Sequence, residues 1–166
     1  MAEERLRRRL AAILAADVVG YSRLMGIDEA ETLAHLKTLR RDVIDPTITA
    51  HAGRIVKLMG DGALVEFASA VDAVACAIAV QKGIRAHEAG RPRDDRIELR
   101  IGINVRDFIV DGDDIYGDGV NVAARIETLA EPGDIYISRS AADRVRDKLR
   151  FTLEPRGEQI VMSVHA

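Results

Sequence analysis

RIVKLMGDGALVEF, residues 54–67, sets two runs of strand-forming residues on either side of Gly60-Asp61-Gly62. Apolar runs at 55–59 and 63–67 around such a turn predict a two-stranded hairpin, because glycine supplies the positive φ angles that a tight reversal needs. The turn lifts one acid, Asp61, clear of bulky neighbours. Lys57 stands four residues earlier in an otherwise apolar strand and needs a polar partner if it is buried. Gly-Asp-Gly is also the composition of an ordinary solvated turn. The meaning of Asp61 therefore depends on a second acid elsewhere.

Asp17 is that second acid. Residues 10–19, LAAILAADVV, form an almost continuous apolar run of the kind expected of a strand covered on both faces, and Asp17 interrupts it. Gly20-Tyr21-Ser22 follows, then a short helical turn at 23–25. Backbone N–H groups exposed where a glycine turn opens a helix form a phosphate cradle. Asp28 with Glu31 makes a capping box for a helix over 29–49, with Pro46 kinking it near its end. His35 and His51 read as surface residues, since neither has a second His or a Cys at ligand spacing. A helix over 68–88 puts Val71, Val74, Ala75, Ile78 and Lys82 on one stripe.

Residues 97–104, IELRIGIN, and 107–110 read as the strands of another hairpin, with Asn104-Val105-Arg106-Asp107 around its turn. An acid- and glycine-rich stretch, 111–119, leads to a helix over 120–129 on which Asn121 and Arg125, four apart, share a face. That pair suits an anionic ligand with hydroxyls, or equally a solvated helix face. Pro132-Gly133 ends the helix. A strand at 135–137, a short helix over 141–148 capped by Ser138 and a strand at 150–153 complete the chain. The order β-α-β-β-α-β plus C-terminal additions predicts an α+β, ferredoxin-like fold with helices on one face of a largely antiparallel sheet.

In that topology the central strands bring Asp17 and Asp61 to one end of the sheet. Two neighbouring carboxylates repel unless a cation lies between them, and oxygen-loving Mg²⁺ or Mn²⁺ is the natural occupant. A phosphate cradle beside such a pair predicts a nucleoside triphosphate site with two metal ions.

Composition agrees with a single domain over 1–166, with 1–9 as a linker or arm. The 166 residues are 48% hydrophobic and 31% charged, with a net charge of -3. That balance gives no electrostatic reason to expect nucleic acid, although Arg5, Arg7, Arg8 and Arg9 cluster near the start. The one cysteine, Cys76, permits no intrachain disulfide and suits a reducing, cytoplasmic compartment. No apolar run reaches the ~18 residues of a membrane span.

ILAADVVGYSRLM, GRIVKLMGDGALVEF and DDIYGDGVNVAARIE, in this order, resemble the class III nucleotide cyclases, the adenylate and guanylate cyclase catalytic domains, especially the compact bacterial members. The resemblance runs from about residue 8 to 159. It implies that Asp17 and Asp61 bind two Mg²⁺ or Mn²⁺ ions with the backbone carbonyl of Val18, and that Gly20, Tyr21 and Ser22 contact phosphate. The family's adenine-selecting lysine and aspartate fall on Lys57 and Asp114, its ribose-orienting asparagine on Asn121, and its transition-state arginine on Arg125. The implied activity is conversion of ATP to cyclic AMP in a head-to-tail homodimer whose two sites lie at the interface. One chain would supply Asp17 and Asp61, and its partner Lys57, Asp114, Asn121 and Arg125.

Two departures stand out: Arg106 replaces a usual glycine, and Met162 falls near the usual triphosphate lysine. The first implies a hairpin that sits differently; the second favours, as the alternative, a weak or inactive cyclase-like nucleotide-binding or dimerisation module. Lys57 and Asp114 speak against a guanylate cyclase. Gly60-Asp61-Gly62-Ala63 lacks the Gly-Gly-acid-acid turn of a diguanylate cyclase.

Overall fold

A computed structural model describes residues 7–111, 114–116, 118–149, 151–156 and 161–165. Strand β1 (Arg7–Val18) leads into helix α1 (Tyr21–Ile27), α2 (Glu29–Leu39), a π-helical turn at Arg40–Ile44 and α3 (Asp45–Ala50). The hairpin β2 (Arg54–Met59) and β3 (Gly62–Phe67) follows, then α4 (Ala70–Glu88), β4 (Leu99–Asp111) and β5 (Asp114–Tyr116). The chain continues with α5 (Asp118–Leu129), β6 (Ile135–Ser138), α6 (Arg139–Val145), β7 (Thr152–Pro155) and β8 (Val161–His165).

The strands pair in the order β2-β3-β1-β4-β6-β8-β7, and β5 adds onto β4. The antiparallel segment β2-β3-β1-β4 is the expected ferredoxin-like core. β6 joins β4 in parallel, and β7 and β8 extend the sheet as C-terminal additions.

Alternation along β1 divides the core in two. Ala12 and Leu14 pack with Val65, Phe67, Ile101 and Ile103 beneath Ala73, Val74, Ala77 and Ile84 of α4. Ala11, Ile13 and Ala15 point the other way and pack against Ala123 of α5. The helices therefore cover both faces, not one as expected from the element order. A strand enclosed on both sides explains why β1 reads as an almost unbroken apolar run. α5 approaches so closely at Gly102 that a Cβ there would lie 2.3 Å from the Glu127 backbone nitrogen and 2.7 Å from the Ala123 carbonyl oxygen.

Other expectations change in detail. β1 begins at Arg7, inside the segment read as an arm, and residues 1–6 lie outside the described ones. The Asp28 cap is present, its Oδ1 accepting from the Glu31 N–H at 3.0 Å. The helix over 29–49 is broken by the widened turn at Arg40–Ile44, so Pro46 sits in the first turn of α3, where its missing N–H is harmless. β4 runs straight through the expected hairpin turn: Arg106 pairs with Ala11 and Asp107 with Leu10. On α4 the buried stripe is Ala73, Val74, Ala77, Val80, Gln81, Ile84 and Glu88, while Lys82 is exposed. His35 is buried rather than at the surface, its Nε2 2.6 Å from Glu88 Oε1. Among the described residues no helix is long and apolar enough to cross a membrane.

Candidate active site

The end of β1 and the tip of the β2–β3 hairpin are stitched together by backbone. Asp17 is in register with Gly62 on β3 and with Arg100 on β4. The Val18 N–H donates to the Asp61 carbonyl at 3.1 Å, and the Val19 N–H to that of Glu98 at 2.9 Å. Gly60, at φ 52°, makes the reversal that positions half-buried Asp61. Gly20, at φ 64°, caps α1, with Tyr21 packed against the core and Ser22 exposed. Asp17, Val18, Gly20, Tyr21, Ser22 and Asp61 thus share one end of the sheet, as the topology predicts.

That end gathers charge of both signs, with Arg100 opposite Asp17 in the sheet. Asp17 Oδ1 is buried without a hydrogen-bond donor, and Arg100 Nε is likewise buried and unpaired. The group beside the Asp17 carboxylate is another acid, Glu127 of α5. Burial, and then the Asp17 carboxylate, push the Glu127 carboxyl up to about 8, against the weaker opposing pull of Thr128 and Arg100. A carboxylate oxygen buried without a donor fits a divalent, oxygen-seeking cation. Among the described residues no three His, Cys, Asp or Glu side chains gather as a closed metal cage. Two acids and a carbonyl, completed by substrate phosphates, is the open donor set that Mg²⁺ favours.

The other expected residues lie apart from this end. Lys57 is exposed on β2, just past a bulge in its pairing with β3. β5, whose backbone carries Asp114 opposite Asp111, folds over to meet β2, so the strands of Lys57 and Asp114 approach one another. Asn121 and Arg125 are exposed on α5, one turn apart. The opposite stripe of α5 is buried: Ala123, Ile126, Glu127 and Ala130. Since Glu127 meets Asp17, the face holding Asn121 and Arg125 turns away from the Asp17 of its own chain. No hydrogen bond or ion pair among the described residues links Lys57, Asn121 or Arg125 to Asp17 or Asp61.

The family model described as the adenylate and guanylate cyclase catalytic domain matches residues 6–165. The chain belongs to this family. The cyclase domain is 54% identical over 138 residues to a putative adenylate cyclase 3 of Rhizobium meliloti, spanning 83% of this chain and 24% of that protein. It is 31% identical to an adenylate cyclase of Streptomyces coelicolor, over 87% of this chain and 37% of that protein. The chain therefore spans about a quarter to just over a third of these two relatives. The crystal structure of an adenylate/guanylate cyclase/hydrolase from Silicibacter pomeroyi superimposes with a TM-score of 0.84 at 40% identity, covering 95% of this chain and 96% of that one.

Three residues of the cyclase domain's site region were not expected from the sequence. Arg100 and Glu127 flank Asp17, and buried Asn104 braces the start of α5 by donating from Nδ2 to the Gly119 carbonyl at 3.2 Å. Glu127 carries a readable signal, an acid on the apolar i, i+3, i+4, i+7 stripe of a helix. Met162, expected near the triphosphate lysine, lies on β8 in backbone register with Ile137.

Proposed function

We propose that this cyclase domain converts ATP to 3′,5′-cyclic AMP and pyrophosphate in two sites, each shared between two copies of the chain. The supporting observation is the opposition across α5. Its buried face meets Asp17, while Asn121 and Arg125 project from the other face, where only a second molecule brings them to a metal acid. A head-to-tail homodimer supplies that molecule twice, which gives two equivalent sites.

The residues divide the work by their chemistry. Asp114 accepts a hydrogen bond from the exocyclic amine of adenine and Lys57 donates to a ring nitrogen. Guanine would set its carbonyl against the Asp114 carboxylate, two acceptors opposed, at a cost of a few kcal/mol. Asn121 orients the ribose, and the phosphate tail rests on the N–H groups of the Gly20-Tyr21-Ser22 turn. When bound, two ions of Mg²⁺ or Mn²⁺ held by Asp17, Asp61 and the Val18 carbonyl supply neutralising charge and acidify the 3′-hydroxyl. The 3′ oxygen, its proton lost to solvent, forms a bond to the α-phosphorus as the bond to the pyrophosphate oxygen breaks. Arg125 stabilises the charge that accumulates on the pentavalent phosphorus. ATP as substrate and one unpaired cysteine both fit the cytoplasm.

A second reading, a nucleotide-binding module with weak catalysis, is favoured by Met162 where the family usually has a lysine. Incubation with ATP or GTP plus Mn²⁺, with cyclic product measured, separates the two. The proposed function predicts cyclic AMP from ATP, little product from GTP, and a loss of that preference in Lys57→Ala. Nucleotide binding without turnover would establish the second reading instead.

A further inference from the structure

We infer that Asn104 is a positioning residue for the shared site: its buried amide pins the first turn of α5 to β4 and so sets where Asn121 and Arg125 stand. Asn104 is 2% exposed and lies in register with Ile13 of β1, which belongs to the apolar layer beneath α5 with Ala11, Ala15 and Ala123. Its Nδ2 donates to the Gly119 carbonyl at 3.2 Å. Its Oδ1 faces the Ser140 hydroxyl at 3.5 Å, and that hydroxyl lies 3.1 Å from the Val105 carbonyl. The amide is thereby oriented, because turning it over would set Oδ1 against the Gly119 carbonyl, acceptor against acceptor.

A residue serving only to fill this layer would be apolar, since a buried amide must be desolvated and only a partner offsets that cost. The partner here is the backbone of the helix that carries the exposed pair. Gly102 and Asn104, two apart on β4, share a face, so α5 meets the strand at two points. Its middle is seated on Gly102, where a Cβ would lie 2.7 Å from the Ala123 carbonyl oxygen, and its start is held by Asn104. The close contact sets how near the helix lies, and the directional bond resists sliding and turning. Asn121 and Arg125 are exposed, so the helix and not side-chain packing fixes their place. At roughly 1.5 Å of rise per residue, they stand about 3 Å and about 9 Å along the axis from the pinned Gly119. A misplacement of about 1 Å is enough to cost roughly a hundredfold in rate. The inference rests on the shared-site reading, in which that pair serves the Asp17 and Asp61 of a second chain.

The test sorts an Asn104 variant by which half of the site it cripples. Asn104→Leu keeps the branched shape and removes the donor; Asn104→Ala removes the donor without adding bulk and takes its place if the Leu variant does not fold. Folding is checked by thermal unfolding, and turnover is measured on the full chain with ATP and Mn²⁺. Either variant is expected to lower kcat about tenfold to a hundredfold while the KM for ATP stays within about threefold. Mixed in equal amounts with Asp17→Ala, it should recover to about a quarter of the wild-type rate, because each mixed dimer then joins its intact Asp17 to an undisturbed α5. Mixed with Arg125→Ala, it should stay at or below its own rate, since no site then has both an intact α5 and Arg125. Recovery with Arg125→Ala, the same result in both mixtures, a wild-type kcat, or failure of both variants to fold would overturn the inference and assign Asn104 to the framework. Asp17→Ala mixed with Arg125→Ala separates the failures. If that mixture exchanges subunits and regains nothing, the shared-site reading falls and the inference with it; if it recovers while the Asn104 variant does not sort with Arg125→Ala, only the role of Asn104 falls.

Discussion

Glu88 anchors the helical side of the molecule through a single carboxyl. It is 1% exposed, and its Oε1 accepts from the Ile97 N–H at 2.8 Å while lying 2.6 Å from His35 Nε2. Its Oε2 lies 3.1 Å from His87 Nδ1 and 3.7 Å from Arg91 Nε. Burial pushes this carboxyl up, but the combined hydrogen bonds from His35, Ile97 and His87 outweigh it and hold the group below its ordinary value of 4.5. A depressed carboxylate stabilises the fold above its unfolded-state value, and that stability is lost as pH falls through the folded one. Glu88→Gln is therefore expected to cost about 2 kcal/mol at neutral pH, with the gap to wild type closing below the ordinary carboxylate range. Denaturant unfolding across pH checks this; a gap that widens toward acid would contradict it. At Cys76 the effect is opposite: burial alone pushes the thiol up to about 12, which leaves it no nucleophile at neutral pH.

Among the elements, the contact of α5 with β4 sets the site. Gly102→Ala would drive a methyl group into the backbone of α5, which cannot rotate aside as a side chain can. We expect a loss of about 3 kcal/mol, at the upper end for overpacking, and reduced cyclic AMP production because Asn121 and Arg125 move with the helix. Thermal unfolding and a turnover assay measure both; an Ala variant as stable as wild type would show that α5 is not seated as described.

The same elements separate what the sequence carries from what it does not. Asp28 with Glu31 and the Gly-Asp-Gly hairpin were legible because their causes are local: a cap and a turn lie within a few residues. The sequence divides β4 in two because Asn104-Val105-Arg106-Asp107 looks like a turn. Pairing with all twelve residues of β1 keeps it extended instead. His35 reads as a surface residue in the sequence because its partner, Glu88, lies on a different helix, and no spacing rule reports such a pair. The convergence of Asp17 with Asp61 followed from strand order alone. Glu127 did not, since its meaning depends on which face of the sheet α5 covers.

For the whole molecule, the proposed function assigns the two faces of one helix to two different sites. That proposed arrangement requires a dimer, and it predicts that a diluted monomer is inactive even though it carries every candidate residue. The proposed function gives Lys57 and Asp61, four residues apart, different tasks: Lys57 is exposed on β2, where the proposal has it meet the base, while the hairpin tip is bonded to the end of β1 beside Asp17.

Mixing two crippled chains tests this most directly. Asp17→Ala and Arg125→Ala should each be inactive as homodimers, because every site then lacks one group. In an equal mixture about half the dimers are mixed and each has one intact site, so cyclic AMP production should return to about a quarter of the wild-type rate. A mixture that exchanges subunits yet stays as inactive as its components would contradict the shared site.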